Sequence, residues 1–313
     1  MGGNSINIIQ VAYQIKEILD VDITAADLMA YRTVHELSDY ITSGGSNRNS
    51  QFKSVFKINK STSPKNIFIV HGGDVNIYYY RHLAKLLEDE YSVYGIQPKG
   101  LSGEEPFPDS TYHMLYDYMR EIRMIQDKVP YIIAGYCIGG YLCNDIDNIF
   151  KIQGDKVAAM LELDEEAFIE KKHLRGLHIY NTILRIIDIR RRITRKDKMY
   201  TLEKFMKLIP KDQPPITIER QKEILKDKKS LRHYFQTELP TGTHYICLGF
   251  PQSPTLIIKA EDNTNPLFKK ELWDKMTKGP VEYYEVPGNH ETVLLPPYVD
   301  KVAEIVRGFL CDK

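Results

Sequence analysis

Two kinds of segment alternate along the chain from about residue 60 onward. Short, continuous apolar runs predict buried strands in KNIFIVHGG, SVYGIQP, PYIIAGYC, VAAMLELD, PTLIIKAED and VEYYEVPG. Apolar residues recur at helical spacing in YYYRHLAKLLEDEY, TYHMLYDYMREIRMIQ, IGGYLCNDIDNIF and PYVDKVAEIVRGFL. Buried strands that alternate with amphipathic helices predict an α/β fold, with a mainly parallel sheet and helices on both faces. One long helical insertion, about residues 168–245, interrupts this alternation.

The first 42 residues show helical spacing only. One apolar stripe is formed by Ile8, Val11, Ile15 and Ile18. Further along, Thr33 is followed three residues later by Glu36, which is the capping-box pattern at the start of a helix. Residues 42–54 are small and polar, without periodicity. The chain is therefore predicted to divide into an all-α segment, a linker and an α/β domain, at residues 1–42, 43–60 and 61–313.

Charge and cysteine content narrow the classes of function. The 42 Lys and Arg residues balance 42 Asp and Glu residues, which favours neither nucleic-acid binding nor attachment to a membrane surface. No apolar run is long enough to cross a bilayer, and the N-terminus lacks the layout of a secretory signal. The four cysteines are too sparse for a disulfide scaffold or a zinc site. These features predict a cytoplasmic protein with reduced thiols and no bound metal.

The segment IIAGYCIGGYL places a cysteine at the junction of a predicted strand and a predicted helix. Gly135, Cys137 and Gly139 have the spacing of the nucleophile elbow G-x-S-x-G. The chain turns sharply at such an elbow, so the residues two positions before and after the nucleophile must be small. The helix N-terminus also favours a thiolate. We therefore predict that Cys137 is a nucleophile; the alternative is a buried cysteine that packs as a small apolar side chain.

A cysteine nucleophile needs a base and an acid that orients the base, and in this fold the chain order is nucleophile, acid, histidine. Of the nine histidines, His290 is the one that follows the last predicted strand, so it is the candidate base. Asp164 and Asp262 each end a predicted strand at the sheet edge that carries Cys137. The residues alone leave both of them open as the acid.

An oxyanion hole requires two backbone N–H groups close to the nucleophile. One donor is predicted to be Ile138, the residue after Cys137. The other is predicted to be Gly73 in the turn VHGGD, where a glycine lets the backbone approach a ligand. The alternative for this turn is a tight strand-to-helix connection without a role in binding.

Five segments, in order, resemble the terminal thioesterase domain of nonribosomal peptide and polyketide synthases: FIVHGGDVNIYYYRHLAKLL, VYGIQPKGLSGEEP, IIAGYCIGGYL, LELD and VPGNHETVL. The resemblance covers about residues 60–313 and implies the α/β-hydrolase fold. It favours Asp164 over Asp262, because the acid of the family follows the strand after the nucleophile helix. It also matches Gly73 to the second oxyanion donor and the insertion to a helical lid. The family has serine at the elbow, so Cys137 departs from its pattern.

The N-terminal segment GGNSINIIQVAYQI resembles the phosphopantetheine attachment motif of a carrier domain, usually G-G-x-S-[LI]. The match assigns Ser5 as the residue that carries the 4′-phosphopantetheine arm. Because the segment starts at this motif, the first carrier helix is missing, and we expect an incomplete carrier. The alternative role of Ser5 is that of a helix N-cap.

The combined resemblance implies an enzyme that releases a carrier-bound peptidyl or polyketidyl chain through an acyl-cysteine, by hydrolysis or by cyclisation. The implied partners are the carrier domain with its acyl chain and the upstream synthase modules. Two alternatives stay open, a stand-alone editing thioesterase and an inactive hydrolase-fold docking module.

The insertion combines apolar positions at helical spacing with many basic residues. The apolar positions are Leu177, Ile179, Ile183, Ile186 and Ile187. The basic positions are Arg175, Arg185, Arg190, Arg191, Arg192, Arg195, Lys196 and Lys198. We expect the apolar face to line an acyl pocket and the basic face to meet an acidic carrier domain; the alternative is a solvated charged face over a core contact.

Overall fold

The computed structural model describes most of the chain from residue 52 onward. The described ranges are 33–42, 52–101, 103, 105–165, 171–209, 216–242, 247–265, 269–311 and 313, with scattered positions before residue 32; residues 171–177 and 241–242 are described by their backbone alone. None of the described helices is long and apolar enough to cross a membrane.

Within these residues, seven strands form one sheet: β1 Val55–Lys57, β2 Asn66–Val70, β3 Ser92–Ile96, β4 Tyr131–Tyr136, β5 Val157–Leu163, β6 Thr255–Ala260 and β7 Val281–Val286. Their spatial order is β1-β3-β2-β4-β5-β6-β7. β1 pairs antiparallel with β3, and the other neighbours pair parallel. The loops that follow the parallel strands therefore come together along the carboxyl ends of the strands. We call this side the edge that carries Cys137.

The described α-helices are α1 Val34–Thr42, α2 Arg81–Leu86, α3 Thr111–Ile125, α4 Ile138–Ile152, α5 Lys171–Ile193, α6 Met199–Met206, α7 Ile218–Leu225, α8 Lys228–His233, α9 Leu239–Gly242, α10 Lys270–Met276 and α11 Val299–Leu310. A 3-10 helix at Ile77–Tyr80 precedes α2, and a π-helix at Tyr234–Glu238 joins α8 to α9. Helices α5 to α9 lie between β5 and β6, where the insertion was predicted. We call residues 171–242 the lid.

Neighbouring residues of the central strands enter two different cores. On β2, Phe68 and Val70 pack on the face that is covered by α3 and α4. Ile67 and Ile69 pack on the opposite face, which is covered by α2 and α11. All four side chains are at most 1% exposed. Because both faces are covered, such a strand must be apolar at every position, which explains the continuous apolar runs in the sequence. The predicted α/β fold is confirmed.

Strand β1 is the outermost strand of the sheet. Its residues fall within the range that was predicted as a linker, 43–60. Its approach is anchored by the carboxylate of Glu121 on α3, which accepts hydrogen bonds of 2.9 Å from the N–H groups of Lys53, Ser54 and Val55. Three residues are too few to show the period of two that identifies a strand. The partner that anchors β1 is also distant in the chain, so the sequence pattern did not reveal it.

Helix α1 begins with the capping box that the sequence predicted. The Thr33 N–H donates to Glu36 Oε2 at 3.0 Å, and the Glu36 N–H donates to Thr33 Oγ1 at 3.1 Å. Upstream, Ile18 at the end of the predicted apolar stripe is 78% exposed. The described residues therefore do not bury the whole stripe.

Helix α5 has two apolar faces with different surroundings. Ile183 and Ile187 pack against the core together with the buried Leu184, whereas Ile179 and Ile186 are each 61% exposed. The prediction that these four isoleucines share one pocket-lining face is therefore wrong. Viewed down the helix axis, Ile183 and Ile187 are rotated by roughly 40–100° from Ile179 and Ile186. The first pair therefore faces the core, and the second pair lies outside that contact. The side chain of Leu177 lies outside the described residues.

Candidate active site

Cys137 lies at the sharp turn between β4 and α4. Its φ of 56° is in the left-handed region, which a residue with a side chain seldom adopts. A Cβ on Gly139 would lie 2.5 Å from the His71 carbonyl oxygen, and a Cβ on Gly135 would lie 2.5 Å from the Gly139 carbonyl carbon. Both positions therefore require glycine for a steric reason. The thiol is held at the first turn of α4, as the elbow spacing predicts.

His290 reaches this turn from the loop after β7. Its Nδ1 lies 2.6 Å from Oδ2 of Asp164, and the Cys137 side chain is close enough to the ring to raise its pKa. The predicted base thus lies between the predicted nucleophile and one of the two predicted acids. Three residues that are distant in the sequence are brought together, with a hydrogen bond between His290 and Asp164.

Asp164 follows β5 directly and is 1% exposed. Besides His290, its carboxylate accepts hydrogen bonds from the Ala260 N–H at 2.8 Å and from the Asn263 amide at 3.2 Å. These hydrogen bonds replace those that the buried carboxylate would form with water, and they fix its orientation toward the imidazole. By contrast, the competing acid Asp262 is exposed, and its backbone N–H donates to the Gly288 carbonyl. The geometry therefore favours Asp164 as the partner of His290.

The charge of His290 is set by opposing effects. Burial favours the neutral ring and lowers its pKa, but the interactions with Asp164 and Cys137 outweigh burial and raise the pKa to about 10. The imidazolium is therefore the favoured form at neutral pH. A charged ring beside a thiol at a helix N-terminus provides the electrostatic surroundings in which a thiolate is stabilised.

Two tyrosines hold the loop of His290 in place. The Tyr136 ring stacks on the His290 ring with centroids 4.7 Å apart and an interplanar angle of 16°. The hydroxyl groups of Tyr136 and Tyr79 both donate to the His290 carbonyl oxygen, the latter at 3.2 Å. Neither tyrosine was predicted to take part in the site, although Tyr136 is an unassigned position within the elbow motif itself. No local pattern links either tyrosine to His290, because both meet it across the fold.

The loop after β2 passes close to the elbow, because the His71 carbonyl crowds Gly139. Ile138, as the first residue of α4, has an N–H without a partner in the preceding turn of the helix. Gly73 lies in the β2 loop, where a Cβ would overlap the amide of Gln236 from the lid at 1.6 Å. The structure thus brings the loop of the second predicted donor against the turn of the first, and packs the lid on Gly73.

His71 is part of the support of this loop. Its Nδ1 lies 2.6 Å from the Gly72 carbonyl, so this nitrogen is the donor, and Nε2 accepts from the Tyr118 hydroxyl at 2.9 Å. Burial lowers the pKa of His71 to about 4, which keeps the ring neutral at pH 7. The histidine therefore anchors the loop and does not compete with His290 as a base.

The remaining cysteines have different surroundings. Cys143 and Cys247 are buried, and burial raises the pKa of each thiol well above its usual value. Cys311 is exposed near the end of α11. Among the four cysteines, Cys137 is the one that contacts an imidazole at a helix N-terminus. Ser5, the predicted phosphopantetheine attachment residue, lies outside the described residues.

Two family models match parts of this chain. Residues 65–310 match the family described as "Thioesterase domain", and residues 1–41 match "Phosphopantetheine attachment site". Malpibaldin synthetase of Mortierella alpina is 30% identical over 167 residues, which cover 53% of this chain and 3% of that protein. Inactive atromentin synthetase invA3 of Paxillus involutus is 24% identical over 334 residues, which cover 99% of this chain and 34% of that protein. The chain thus spans at most about a third of these relatives.

Solved structures show the same fold. The four-domain nonribosomal peptide synthetase holo-AB3403 superimposes with a TM-score of 0.56 at 19% identity, over 98% of this chain and 24% of that one. The thioesterase domain SrfTE, described as cyclising the lipopeptide antibiotic surfactin, superimposes with a TM-score of 0.53 at 14% identity, over 84% of this chain and 98% of that one.

Proposed function

The chain belongs to the thioesterase domain family, and from this premise we propose that it releases a carrier-bound acyl or peptidyl chain through an acyl-cysteine. The observation that carries the proposal is the position of His290, which bonds Asp164 through Nδ1 and lies beside Cys137 at the elbow. The match of residues 1–41 to a phosphopantetheine attachment site supports a carrier thioester as the substrate. We also propose that upstream synthase modules supply this substrate and that the enzyme works in the cytoplasm, where the thiol stays reduced.

The first half of the cycle transfers the acyl group to the enzyme. The Cys137 thiolate attacks the thioester carbonyl, a new C–S bond forms, and the N–H groups of Ile138 and Gly73 stabilise the oxyanion. The intermediate then breaks its bond to the leaving thiol, which takes the proton of the His290 imidazolium. Asp164 orients the ring throughout and stabilises its charged form. The products are an acyl-cysteine, a free thiol and a neutral His290.

The second half releases the chain. Neutral His290 takes a proton from water, or from an amine or hydroxyl of the chain itself, as that group attacks the acyl-cysteine. Cleavage of the C–S bond restores the thiolate beside the imidazolium. Water yields an acid, and internal attack yields a ring. Because one thioester replaces another, the acyl-cysteine stays as activated as the substrate, which suits a slow second step such as ring closure.

A reaction with a small acyl thioester tests the proposal. Incubation with an acyl N-acetylcysteamine thioester should add the acyl mass to Cys137, as detected by intact and peptide mass spectrometry. Cys137→Ala should abolish the adduct, whereas Cys311→Ala, which removes the exposed cysteine, should leave it unchanged.

The opposite result would support a different function. An unmodified Cys137 that also resists iodoacetamide would indicate an inactive docking module. This second candidate is favoured by the relatives invA3 and invA6 of Paxillus involutus, whose names call them inactive synthetases. An adduct that forms faster with acetyl than with long acyl chains would instead indicate an editing thioesterase.

A further inference from the structure

Helix α5 exposes a row of isoleucines on the side that faces away from the core. Ile179, Ile186, Ile189 and Ile193 are 61%, 61%, 58% and 77% exposed, respectively. Together with Thr182 they repeat at alternating steps of four and three residues, which is the spacing of the a and d positions of a coiled coil. We call these five residues the isoleucine seam. Soluble proteins seldom expose such a contiguous apolar row unless it meets a partner.

The seam does not hold α5 onto the protein. That contact is made by the opposite face, where Leu184 is fully buried and Ile183 and Ile187 pack against the core. On this inner side Arg192 pairs with the buried Asp188 and also donates to the Ile152 carbonyl of α4 at 3.2 Å, which ties α5 to α4. The exposed row is therefore a second apolar face on a helix that is already secured.

Basic residues flank the seam. His178, Arg185 and Arg192 each precede a seam isoleucine, at the g position of the repeat, and Arg190 occupies an e position. Within the described part of the chain, no carboxylate pairs with Arg185 or Arg190. Arg192 does pair with Asp188, yet its side chain is still 57% exposed. The e and g positions set the choice of partner in coiled coils, so these flanks favour negative charge on the opposing helix.

Two cavities beside the seam extend this basic character. One of about 380 Å³ is lined by the basic residues Lys151, Arg185 and Arg192. It is also lined by Ile189 of the seam and by Asp188, the partner of Arg192. The other, of about 210 Å³, shares Arg185 and is also lined by His178 and Lys278. Acidic side chains on the flank of a docked helix would extend toward these cavities.

We propose that the isoleucine seam docks an amphipathic helix of a separate polypeptide chain, whose apolar seam is flanked by Asp or Glu. A second copy of α5 fits poorly, because either helix direction would place His178, Arg185, Arg190 and Arg192 against one another. A membrane surface fits less well, because the row is narrow and lacks the aromatic residues that membrane-surface helices favour. The proposal does not depend on acyl release, since no seam residue belongs to the candidate active site.

Two synthetic helical peptides of three heptads probe the seam. Both carry Ile at a and Leu at d, and they differ in having Glu or Lys at every e and g position. Fluorescence anisotropy at low salt should show that the full chain binds the Glu peptide at least about tenfold more tightly than the Lys peptide. Arg185→Glu combined with Arg190→Glu should invert this preference.

Ile186→Glu should weaken binding of the Glu peptide at least about tenfold. The matched control is Ile218→Glu on α7, since Ile218 is also 61% exposed; it should bind as the parent does. Neither change should lower the melting temperature appreciably, because both side chains are on the surface.

Three results would overturn the proposal. The first is equal binding of the two peptides, or binding of neither. The second is dimerisation of the parent in analytical ultracentrifugation that Ile186→Glu abolishes, which would assign the seam to a second copy. The third is binding to phosphatidylcholine–phosphatidylserine vesicles that Ile186→Glu abolishes and the Glu peptide does not inhibit. Acylation of Cys137 is measured separately, so the two proposals fail independently.

Discussion

The sheet edge that carries Cys137 and the contact of the lid with the β2 loop beside it are built from different kinds of interaction. At the edge, Asp164 is 1% exposed and receives hydrogen bonds from three groups, and backbone sterics fix the turn of Cys137. One contact of the lid with this edge is made by Asp74 in the β2 loop, which pairs with Lys228 at 2.5 Å and with Arg232 at 2.6 Å. Both lid side chains are 47% exposed, and exposed pairs contribute little to stability.

The two regions therefore differ in how much energy is needed to move them. The reacting groups lie on buried strand ends, whose positions cost much energy to change. The lid itself is packed into the core through buried side chains such as Leu231 and Phe235, but its charged contact with the β2 loop can be exchanged for water at little cost. The reacting groups are thus held rigidly, whereas this contact of the lid beside them is adjustable. Four predictions test this contrast.

The largest effect is expected at the acid. Asp164→Asn should lower the rate of Cys137 acylation by roughly 10³–10⁴-fold, because an amide neither stabilises the imidazolium nor holds the correct tautomer. Rapid-quench measurement of thiol release from an acyl thioester gives this rate. The matched control is Asp262→Asn, at the exposed acid that the sequence left open, which should react within about twofold of the parent. Similar losses in both variants would remove the assignment of Asp164.

The next effect tests the rigidity of the elbow. Gly139→Ala should lower the free energy of unfolding by about 1–3 kcal/mol, because the new Cβ would lie 2.5 Å from the His71 carbonyl oxygen. Gly308 on α11 has open space around its Cβ position, so Gly308→Ala should stabilise the helix by about 0.5–1 kcal/mol. Urea denaturation of the two variants measures both. A Gly139→Ala variant as stable as the parent would show that the elbow yields more easily than its contacts indicate.

A smaller effect is expected from pH. The pKa of His290 is raised from 6.5 to about 10, so its charged interactions stabilise the fold fully below pH 6.5 and are lost as the pH rises through 10. The stability advantage of the parent over His290→Gln should therefore shrink between pH 6.5 and 10. We expect a change of about 1 kcal/mol, reduced by solvent screening because the His290 side chain is 39% exposed. An advantage that grows with pH in urea denaturation would contradict the charged state assigned to the ring.

The smallest effect is expected at the lid. Asp74→Asn should change the free energy of unfolding by less than about 1 kcal/mol, yet it should loosen the contact of α8 with the β2 loop and speed proteolysis of the lid about two- to fivefold. Glu223→Gln is the matched control, because it breaks an exposed pair with Arg220 inside the lid and leaves the contact to the edge intact. Equal cleavage rates in both variants would mean that the Asp74 pairs do not hold the lid closed.

Much of the edge could be predicted from local patterns. Three features were predicted from residues that are close in the sequence: the glycines around Cys137, the apolar run of β4 and the capping box at Thr33. Each reflects a local requirement of packing or hydrogen bonding. The position of His290 after the last strand was sufficient to identify it as the candidate base. Requirements of this kind involve the local order of residues, so sequence patterns reveal them.

Other features depended on contacts between distant residues. The choice between Asp164 and Asp262 could not be made from strand ends alone, because both acids follow strands of the same edge. The buried carboxyl of Glu162, whose pKa burial raises to about 7, and the clamp of Tyr79 and Tyr136 on His290 carry no local pattern. The fold brings such groups together after the chain has crossed the sheet several times.

The isoleucines of α5 show the same limit. Helical spacing identified an amphipathic lid helix but did not show which of its apolar positions meet the core. That division depends on where α4 and α6 place the core surface beneath the helix. The sequence by itself determined the order of elements, the glycine elbow and the candidate nucleophile and base. The tertiary structure alone decided which acid reaches the imidazole and which isoleucines remain in water, because both depend on packing between segments far apart in the chain.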